Sequence, residues 1–144
     1  IGVCAVCLII YLVPKLRNKV AIPVSLCVMS SFVLNVILKL SFERERPNIL
    51  RLVSESSYSF PSGHAMVNMA LYTILIIYTF KFLDSKKLKI PLIIGMTFLI
   101  IAIGFTRIYL GVHYAGDILG GWFLGFAVSM IIYMIMKHTT INDD

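Results

Sequence analysis

The feature that most restricts the fold of this chain is a series of long apolar runs separated by short charged stretches. Complete runs cover residues 20–40, 61–83 and 90–106, a last run ends near Met136, and a shorter one covers 1–13. About 20 apolar residues in a helix cross the hydrocarbon of a bilayer, and these runs lack the alternation of membrane strands. The pattern therefore predicts an all-α, polytopic membrane helix bundle with about five helices.

The first run begins at Ile1, without a basic segment before it, and ends at Pro14. We interpret it as the end of an incomplete helix, and we expect residues 1–144 to form a single integral-membrane domain that is truncated at its N-terminus. Cys4 and Cys7 have the spacing of a redox motif but lie in this apolar run with no histidine nearby. We therefore interpret them as small apolar residues, with no disulfide framework.

The net charge of +6 comes from basic residues whose positions along the chain fit a membrane topology. In a soluble protein it would suggest a nucleic acid partner, but here the basic residues lie at the ends of apolar runs. Alternate helix ends place eight of them on one side, which the positive-inside rule makes cytoplasmic: Lys15, Arg17, Lys19, Lys81, Lys86, Lys87, Lys89 and Lys137. The other five lie on the opposite, extracytoplasmic side: Lys39, Arg44, Arg46, Arg51 and Arg107.

Three clusters of reactive residues fall on that second side. The first runs from Lys39 through Arg46 to Pro47, the second is Pro61-Ser-Gly-His64, and the third is Arg107-Ile-Tyr-Leu-Gly-Val-His113-Tyr-Ala-Gly-Asp117. Ionisable residues at a membrane boundary are candidates for function. His113 and Asp117 are four residues apart, so in a helix the carboxylate can reach the imidazole.

The combined chemistry of these clusters suits a phosphate group. Arginine forks bind phosphate oxygens in pairs, a lysine adds a point charge, and a helix that begins near Ser62 offers backbone N–H groups to an anion. Two histidines could supply a nucleophile and an acid for phosphoryl transfer. We see no acidic cluster suitable for a metal, and we expect no metal and no cofactor.

Taken together, the clusters resemble the three signatures of the type 2 phosphatidic acid phosphatases: Lys-x6-Arg-Pro, Pro-Ser-Gly-His and Ser-Arg-x5-His-x3-Asp. All three occur in order and with the family's spacing, between Lys39 and Asp117. One position departs from the pattern, since Thr106 stands where the family usually has serine. Members that resemble this chain usually have six membrane helices, which implies that one N-terminal helix is absent here.

The resemblance implies a role for each matching residue. His113 would be the nucleophile that becomes phosphohistidine, Asp117 would orient it, and His64 would protonate the leaving group. The phosphate would be bound by Lys39, Arg46, Ser62, Gly63 and Arg107. The function implied is a membrane lipid phosphatase that hydrolyses a lipid phosphate monoester or pyrophosphate, in the cell membrane of a bacterium.

Neighbouring polar residues have two interpretations each. Asn68 shares a helix face with His64, and Asn35 shares one with Lys39, so either could orient the reactive side chain or bind another helix. We place Asn68 and Thr106 in a possible supporting shell, and we favour interhelical bonding for Asn35. Glu43, Arg44 and Glu45 read as a solvated charge run.

Other functions use the same residues. A phosphotransferase would pass the phosphoryl group to a lipid or sugar, a vanadium haloperoxidase would hold vanadate, and a membrane transporter or scaffold would bind an anion without chemistry. The long apolar runs argue against the haloperoxidases, which are soluble. The partners we expect are the bilayer and a phospholipid or polyprenyl phosphate substrate, with no nucleic acid and no protein partner.

Overall fold

A computed structural model describes residues 20–48, 52–53 and 55–141 of the protein, with side chains described as far as Lys137. Its four helices are α1 (Ile22–Phe42), α2 (Gly63–Phe82), α3 (Lys86–Tyr109) and α4 (Ala115–Ile141). All four are long and apolar enough to cross a membrane, and the described part contains no strand. The predicted all-α membrane bundle is confirmed. The predicted helix over 1–13 and the basic residues that follow it lie outside the described residues.

The helix boundaries follow local chemistry. Ser62 caps α2, and its hydroxyl accepts a hydrogen bond from the Ala65 N–H at 3.4 Å, so Pro61 lies just outside the helix rather than in its first turn. α3 begins at Lys86, four residues earlier than the apolar run predicts, and includes Pro91. Proline removes one helical hydrogen bond, which is tolerated near the end of a helix more easily than at its centre.

α2 is the central helix, since it packs against α1, α3 and α4, whereas α3 makes few contacts with α4. The buried core lies mainly where α2 meets α1 and α4, and includes Val24, Met66, Leu71 and Ile74. Many large apolar side chains elsewhere on the helices are exposed. In a soluble protein such a surface would aggregate, but in a bilayer it faces lipid.

Glycines on α4 bring its backbone close to the start of α2. A Cβ atom added at Gly121 would lie 3.0 Å from the Ser62 carbonyl oxygen and 3.1 Å from the Ala65 Cβ. Small residues allow membrane helices to approach in this way. Close packing at these glycines therefore positions the first turn of α2.

Gly125 permits the tightest approach between α2 and α4. In Gly125→Ala, the new Cβ would collide with the Met66 carbonyl oxygen and would lie 3.0 Å from the Met69 Cβ. We expect the variant to lose about 1–3 kcal/mol of stability because the two helices must separate. Gly95→Ala is the matched control, since a Cβ there meets nothing within 4 Å. Thermal unfolding in detergent measures both, and a Gly125→Ala protein as stable as Gly95→Ala would contradict this packing.

The end of α1, the start of α2, the end of α3 and the start of α4 meet at one end of the bundle. Backbone hydrogen bonds join them: the Ser62 N–H donates to the Asp117 carbonyl at 3.1 Å, and the Leu52 N–H donates to the Leu110 carbonyl at 3.2 Å. The three sequence clusters therefore converge at this end. Lys81 and Lys86 lie at the opposite helix ends.

Candidate active site

The turn between α3 and α4 presents His113 at the edge of the bundle. Gly111 has a φ of 67°, a conformation that favours glycine, and it lets the chain reverse between the two helices. Val112 and His113 then turn inward and are almost completely buried. α4 starts two residues later, so Asp117 lies in its first turn, four residues after His113.

Asp117 is a fully buried carboxylate with both oxygens engaged. Its Oδ1 accepts from Arg44 Nη1 at 2.9 Å, and its Oδ2 accepts from the Tyr114 N–H at 2.9 Å and from the Ser59 hydroxyl at 2.5 Å. The same Oδ2 lies 3.4 Å from Nδ1 of His113. A buried charge needs such partners, and here they fix the carboxylate against one edge of the imidazole.

The contacts of His113 assign its tautomer. Nδ1 lies 3.4 Å from both Asp117 Oδ2 and Ser59 Oγ, so we place the ring proton on Nδ1, where acceptors are available. Nε2 then keeps its lone pair, and it lies 3.4 Å from Nη1 of Arg46. The nitrogen that can attack an electrophile thus faces a guanidinium that can bind a phosphate.

Arg46 is 6% exposed and joins two loops. Its Nε donates to the Ser57 carbonyl at 2.6 Å, its Nη1 donates to the Val112 carbonyl at 3.0 Å, and its Nη2 donates to the Ser57 hydroxyl at 3.0 Å. Nη2 also lies 3.7 Å from a carboxylate oxygen of Glu55. These bonds hold the guanidinium in one orientation beside His113.

Lys39, at the end of α1, approaches the same loop. Its Nζ donates to the Tyr58 carbonyl and lies 3.5 Å from the Ser57 hydroxyl. Lys39 and Arg46, with Arg44, line a cavity of about 640 Å³ between α1 and the loop. Neither histidine is among the described residues that line this cavity, so it lies beside the imidazole of His113 rather than around it.

His64, at the start of α2, and Arg107, near the end of α3, lie at the same end of the bundle. His64, in the first turn of α2, is exposed and lies within electrostatic range of Arg107 and His113. The Nε of Arg107 is buried and has no hydrogen-bond partner among the described residues. A buried guanidinium N–H without an acceptor is costly, and an anion in the site would supply one.

Ser62 and Gly63 lie at the N-terminus of α2, beside α1. The Ser62 hydroxyl is completely buried and accepts the helix-cap bond, while its own proton stays available for donation. Asn35 of α1 donates to the Pro61 carbonyl at 3.1 Å, and its Oδ1 would lie 3.0 Å from a Cβ at Gly63. Asn35 thus bonds to the segment just before α2, and its amide also lies 3.8 Å from Met66 Sδ of α2, in line with the interhelical bonding that we favour for it.

Asn68 and Thr106 lie next to site residues but bond to backbone. Asn68 donates to the His64 carbonyl at 2.8 Å, so the contact is with the helix backbone rather than with the imidazole. Thr106 donates to the Ile103 carbonyl at 2.7 Å within α3, and its side chain is exposed. In these contacts neither the Thr106 hydroxyl nor the Asn68 amide bonds to a reactive side chain.

Two residues of the site were missed by sequence reasoning. Ser59 bonds to Asp117 and lies beside His113, although nothing in its sequence neighbourhood indicates this. Arg44 is 45% exposed, as the interpretation of a solvated charge predicts, but it also forms an ion pair with Asp117 and lies over the Tyr114 ring at 4.4 Å, which that interpretation does not include. The sequence did contain one indication of the position of Arg44. Side chains two residues apart in an extended segment point to the same side, and Arg44 lies two residues before Arg46.

Arg44 is expected to affect turnover through Asp117. In Arg44→Gln the carboxylate loses one charged partner, but the Arg44 side chain is 45% exposed, so solvent already weakens the pair. We expect kcat for a substrate of this site to fall about tenfold, with KM little changed. Steady-state kinetics would measure this, and a rise in KM without a change in kcat would show instead that Arg44 binds substrate.

Comparisons with known proteins point to one family. A family model described as the PAP2 superfamily matches residues 20–141. The chain is 39% identical over 107 residues to a phosphatidylglycerophosphatase B of Bacillus subtilis, a match that covers 72% of this chain and 50% of that protein. It is 32% identical over 95 residues to an undecaprenyl-diphosphatase of Sulfolobus acidocaldarius, covering 65% of this chain and 41% of that protein.

The fold has a close counterpart among solved structures. A crystal structure of a transmembrane PAP2-type phosphatidylglycerolphosphate phosphatase from Bacillus subtilis superposes with a TM-score of 0.82 at 30% sequence identity. The alignment covers 94% of this chain and 67% of that one. The chain spans about half the length, or less, of the curated relatives above.

Proposed function

The chain belongs to the PAP2 superfamily, and we propose that its protein is a membrane lipid phosphatase. The substrate is a lipid phosphate monoester or pyrophosphate whose tail stays in the bilayer. Relatives named as phosphatases of phosphatidylglycerol phosphate and of undecaprenyl diphosphate support this substrate class. We place the site on the extracytoplasmic face, because Lys81, Lys86 and Lys87 lie at the other end of the bundle. We place the protein in the cell membrane of a bacterium, as its relative from Bacillus subtilis suggests.

One observation carries the mechanism, namely the line of contacts from Asp117 through His113 to Arg46. The two distances along it are both 3.4 Å, one at each nitrogen of the imidazole. Asp117 holds the proton on Nδ1, which leaves the Nε2 lone pair for attack, and Arg46 binds the phosphate oxygens opposite. This is the arrangement of a nucleophile, its orienting group and a charge that stabilises the transition state.

The reaction has two steps. Nε2 of His113 forms a bond to phosphorus as the bond from phosphorus to the leaving oxygen breaks. That oxygen is the lipid oxygen of a monoester or the bridging oxygen of a pyrophosphate, and it takes a proton from His64. Water then attacks the phosphohistidine, His64 takes a proton from it, and the N–P bond breaks to release phosphate. Lys39 and Arg107, whose buried Nε has no acceptor within the part of the chain that the structure describes, balance the negative charge throughout.

The test is phosphate release from a panel of lipids by the purified full-length protein in detergent. The panel contains phosphatidic acid, phosphatidylglycerol phosphate and undecaprenyl diphosphate, with and without EDTA. We expect release from at least one lipid, undiminished by EDTA and inhibited by vanadate, which mimics the transition state. Phosphate binding without release would indicate an anion-binding protein, and transfer of the phosphoryl group to a lipid or sugar would indicate a phosphotransferase.

A further inference from the structure

A second cavity lies between α2, α3 and α4 in the membrane-spanning part of the bundle, and it is open to the surface, since its lining residues Phe80 and Ile101 are largely exposed. It has a volume of about 560 Å³, and apart from two threonine hydroxyls and one indole N–H its lining side chains are apolar. α3 and α4 make few contacts with each other, so within the described residues the cavity is not closed by helix packing on that side. We call this cavity the tail slot, with Met69 and Trp122 at one end and Phe80 and Met130 at the other.

The tail slot begins just below the candidate active site. Met69 follows His64 by five residues on α2, and Trp122 follows Asp117 by five residues on α4, which is about 7.5 Å of helix rise in both cases. Both helices run away from the site into the bilayer. A lipid whose phosphate lies against His113 would therefore have its tail directed along this slot.

The far end of the tail slot lies beyond the middle of the bilayer. Phe80 is 16 residues after His64, a rise of about 24 Å, whereas half of the hydrocarbon thickness is about 15 Å. An acyl chain of one leaflet ends near the midplane and would fill only the upper part of the slot. A longer hydrocarbon chain would fill it to the end and bury more apolar surface.

We propose that the tail slot binds the hydrocarbon tail of the lipid whose phosphate enters the active site, and that it favours isoprenoid tails long enough to pass the bilayer midplane. This inference rests on the proposed phosphatase function and adds the chain length that the enzyme selects. Thr97 of α3 lines the slot and faces this tail, while Leu99 on the same helix is exposed and does not line it.

The kinetic test compares undecaprenyl diphosphate with farnesyl diphosphate as substrates of the full-length protein in bilayers. Thr97→Phe fills part of the slot. We expect it to lower the ratio of kcat/KM for undecaprenyl diphosphate to kcat/KM for farnesyl diphosphate about tenfold. A loss of that size corresponds to about two methylene groups of the long tail that are no longer buried. Leu99→Phe is the matched control and keeps the wild-type ratio. Equal ratios in the two variants would overturn the proposal, even though both release phosphate.

A binding test uses Trp122, the single tryptophan of the 144 residues. The protein carries His113→Ala, so that it binds lipid without turnover. It is placed in bilayers of brominated phosphatidylcholine, whose bromine atoms quench the fluorescence of Trp122. We expect undecaprenyl phosphate to restore the fluorescence at low mole fraction and to saturate, whereas farnesyl phosphate does not. Recovery that only follows dilution of the brominated lipid would show that bulk lipid fills the slot, which overturns the proposal. Trp122→Phe supplies the background from any tryptophan outside this chain.

The two tests separate failure of the tail slot from failure of the proposed function. If the wild-type protein releases phosphate from no lipid, the phosphatase function is wrong, and the fluorescence test still decides whether a long tail binds. If phosphate is released but neither the ratio nor the fluorescence depends on chain length, the phosphatase remains and the tail slot is wrong.

Discussion

Replacing His113 with alanine is expected to reduce phosphate release by at least about a thousandfold, because the proposed mechanism assigns the attack on phosphorus to its Nε2. The protein should remain folded. Asp117 keeps three partners after the imidazole is removed, namely Arg44, Ser59 and the Tyr114 N–H, so the buried carboxylate is not left unpaired. Phosphate release and thermal unfolding, measured on the same preparation, test the two parts of this prediction.

A control for His113→Ala is Leu119→Ala, which changes an exposed apolar side chain two residues after Asp117 on the same helix. It should keep wild-type activity. Substantial phosphate release by His113→Ala would contradict the assignment of the nucleophile. A collapse of its unfolding temperature would instead mean that the histidine is needed for structure.

Arg46→Lys is expected to lower kcat/KM about a hundredfold, although the charge is kept. A lysine cannot reproduce the fork that bonds Ser57 and Val112 while it faces Nε2 of His113. The loss therefore comes both from phosphate binding and from the loop that the guanidinium holds. Arg44→Lys is the matched control, since that side chain is partly exposed and makes one bond to Asp117.

Steady-state kinetics on the two lysine variants distinguishes the two arginines. The hundredfold loss should appear in Arg46→Lys, while Arg44→Lys should lose no more than about tenfold. If both variants behaved alike, the buried position of Arg46 would have no special importance, and the phosphate would be bound elsewhere in the cluster.

The fold could be predicted from hydropathy because each membrane helix is encoded locally, in one run of apolar residues. The helix ends were harder to predict from the sequence. α3 includes Lys86, Lys87 and Pro91, although charged and helix-breaking residues suggest a loop there. In a membrane protein the apolar run marks the buried length of a helix rather than the whole helix.

The candidate site could be predicted from the sequence only in part. His113 and Asp117 are four residues apart, and the contact that this spacing predicts occurs although His113 lies in the turn before α4 and not in the helix itself. Ser59 depends on the path of the loop between α1 and α2, where its N–H donates to the Arg44 carbonyl at 2.8 Å and brings both residues to Asp117. Contacts of that kind join segments distant in sequence, and no local pattern encodes them.

The tail slot could not be predicted from the sequence either. Its residues are apolar and occur in apolar helices, so their sequence positions do not separate a cavity from lipid-facing surface. The slot exists because α3 packs on α2 but hardly touches α4, and that arrangement depends on the packing of all three helices.

Trapping the covalent intermediate tests the central claim most directly. The full-length protein would be mixed with lipid phosphate labelled at the cleaved phosphorus, quenched within the first turnover under alkaline conditions that preserve phosphohistidine, digested and sequenced by mass spectrometry. We predict one phosphoryl group on the peptide that contains His113, and none in His113→Ala. Label on another residue, or product formed in a full burst with no labelled protein at any time, would contradict the mechanism.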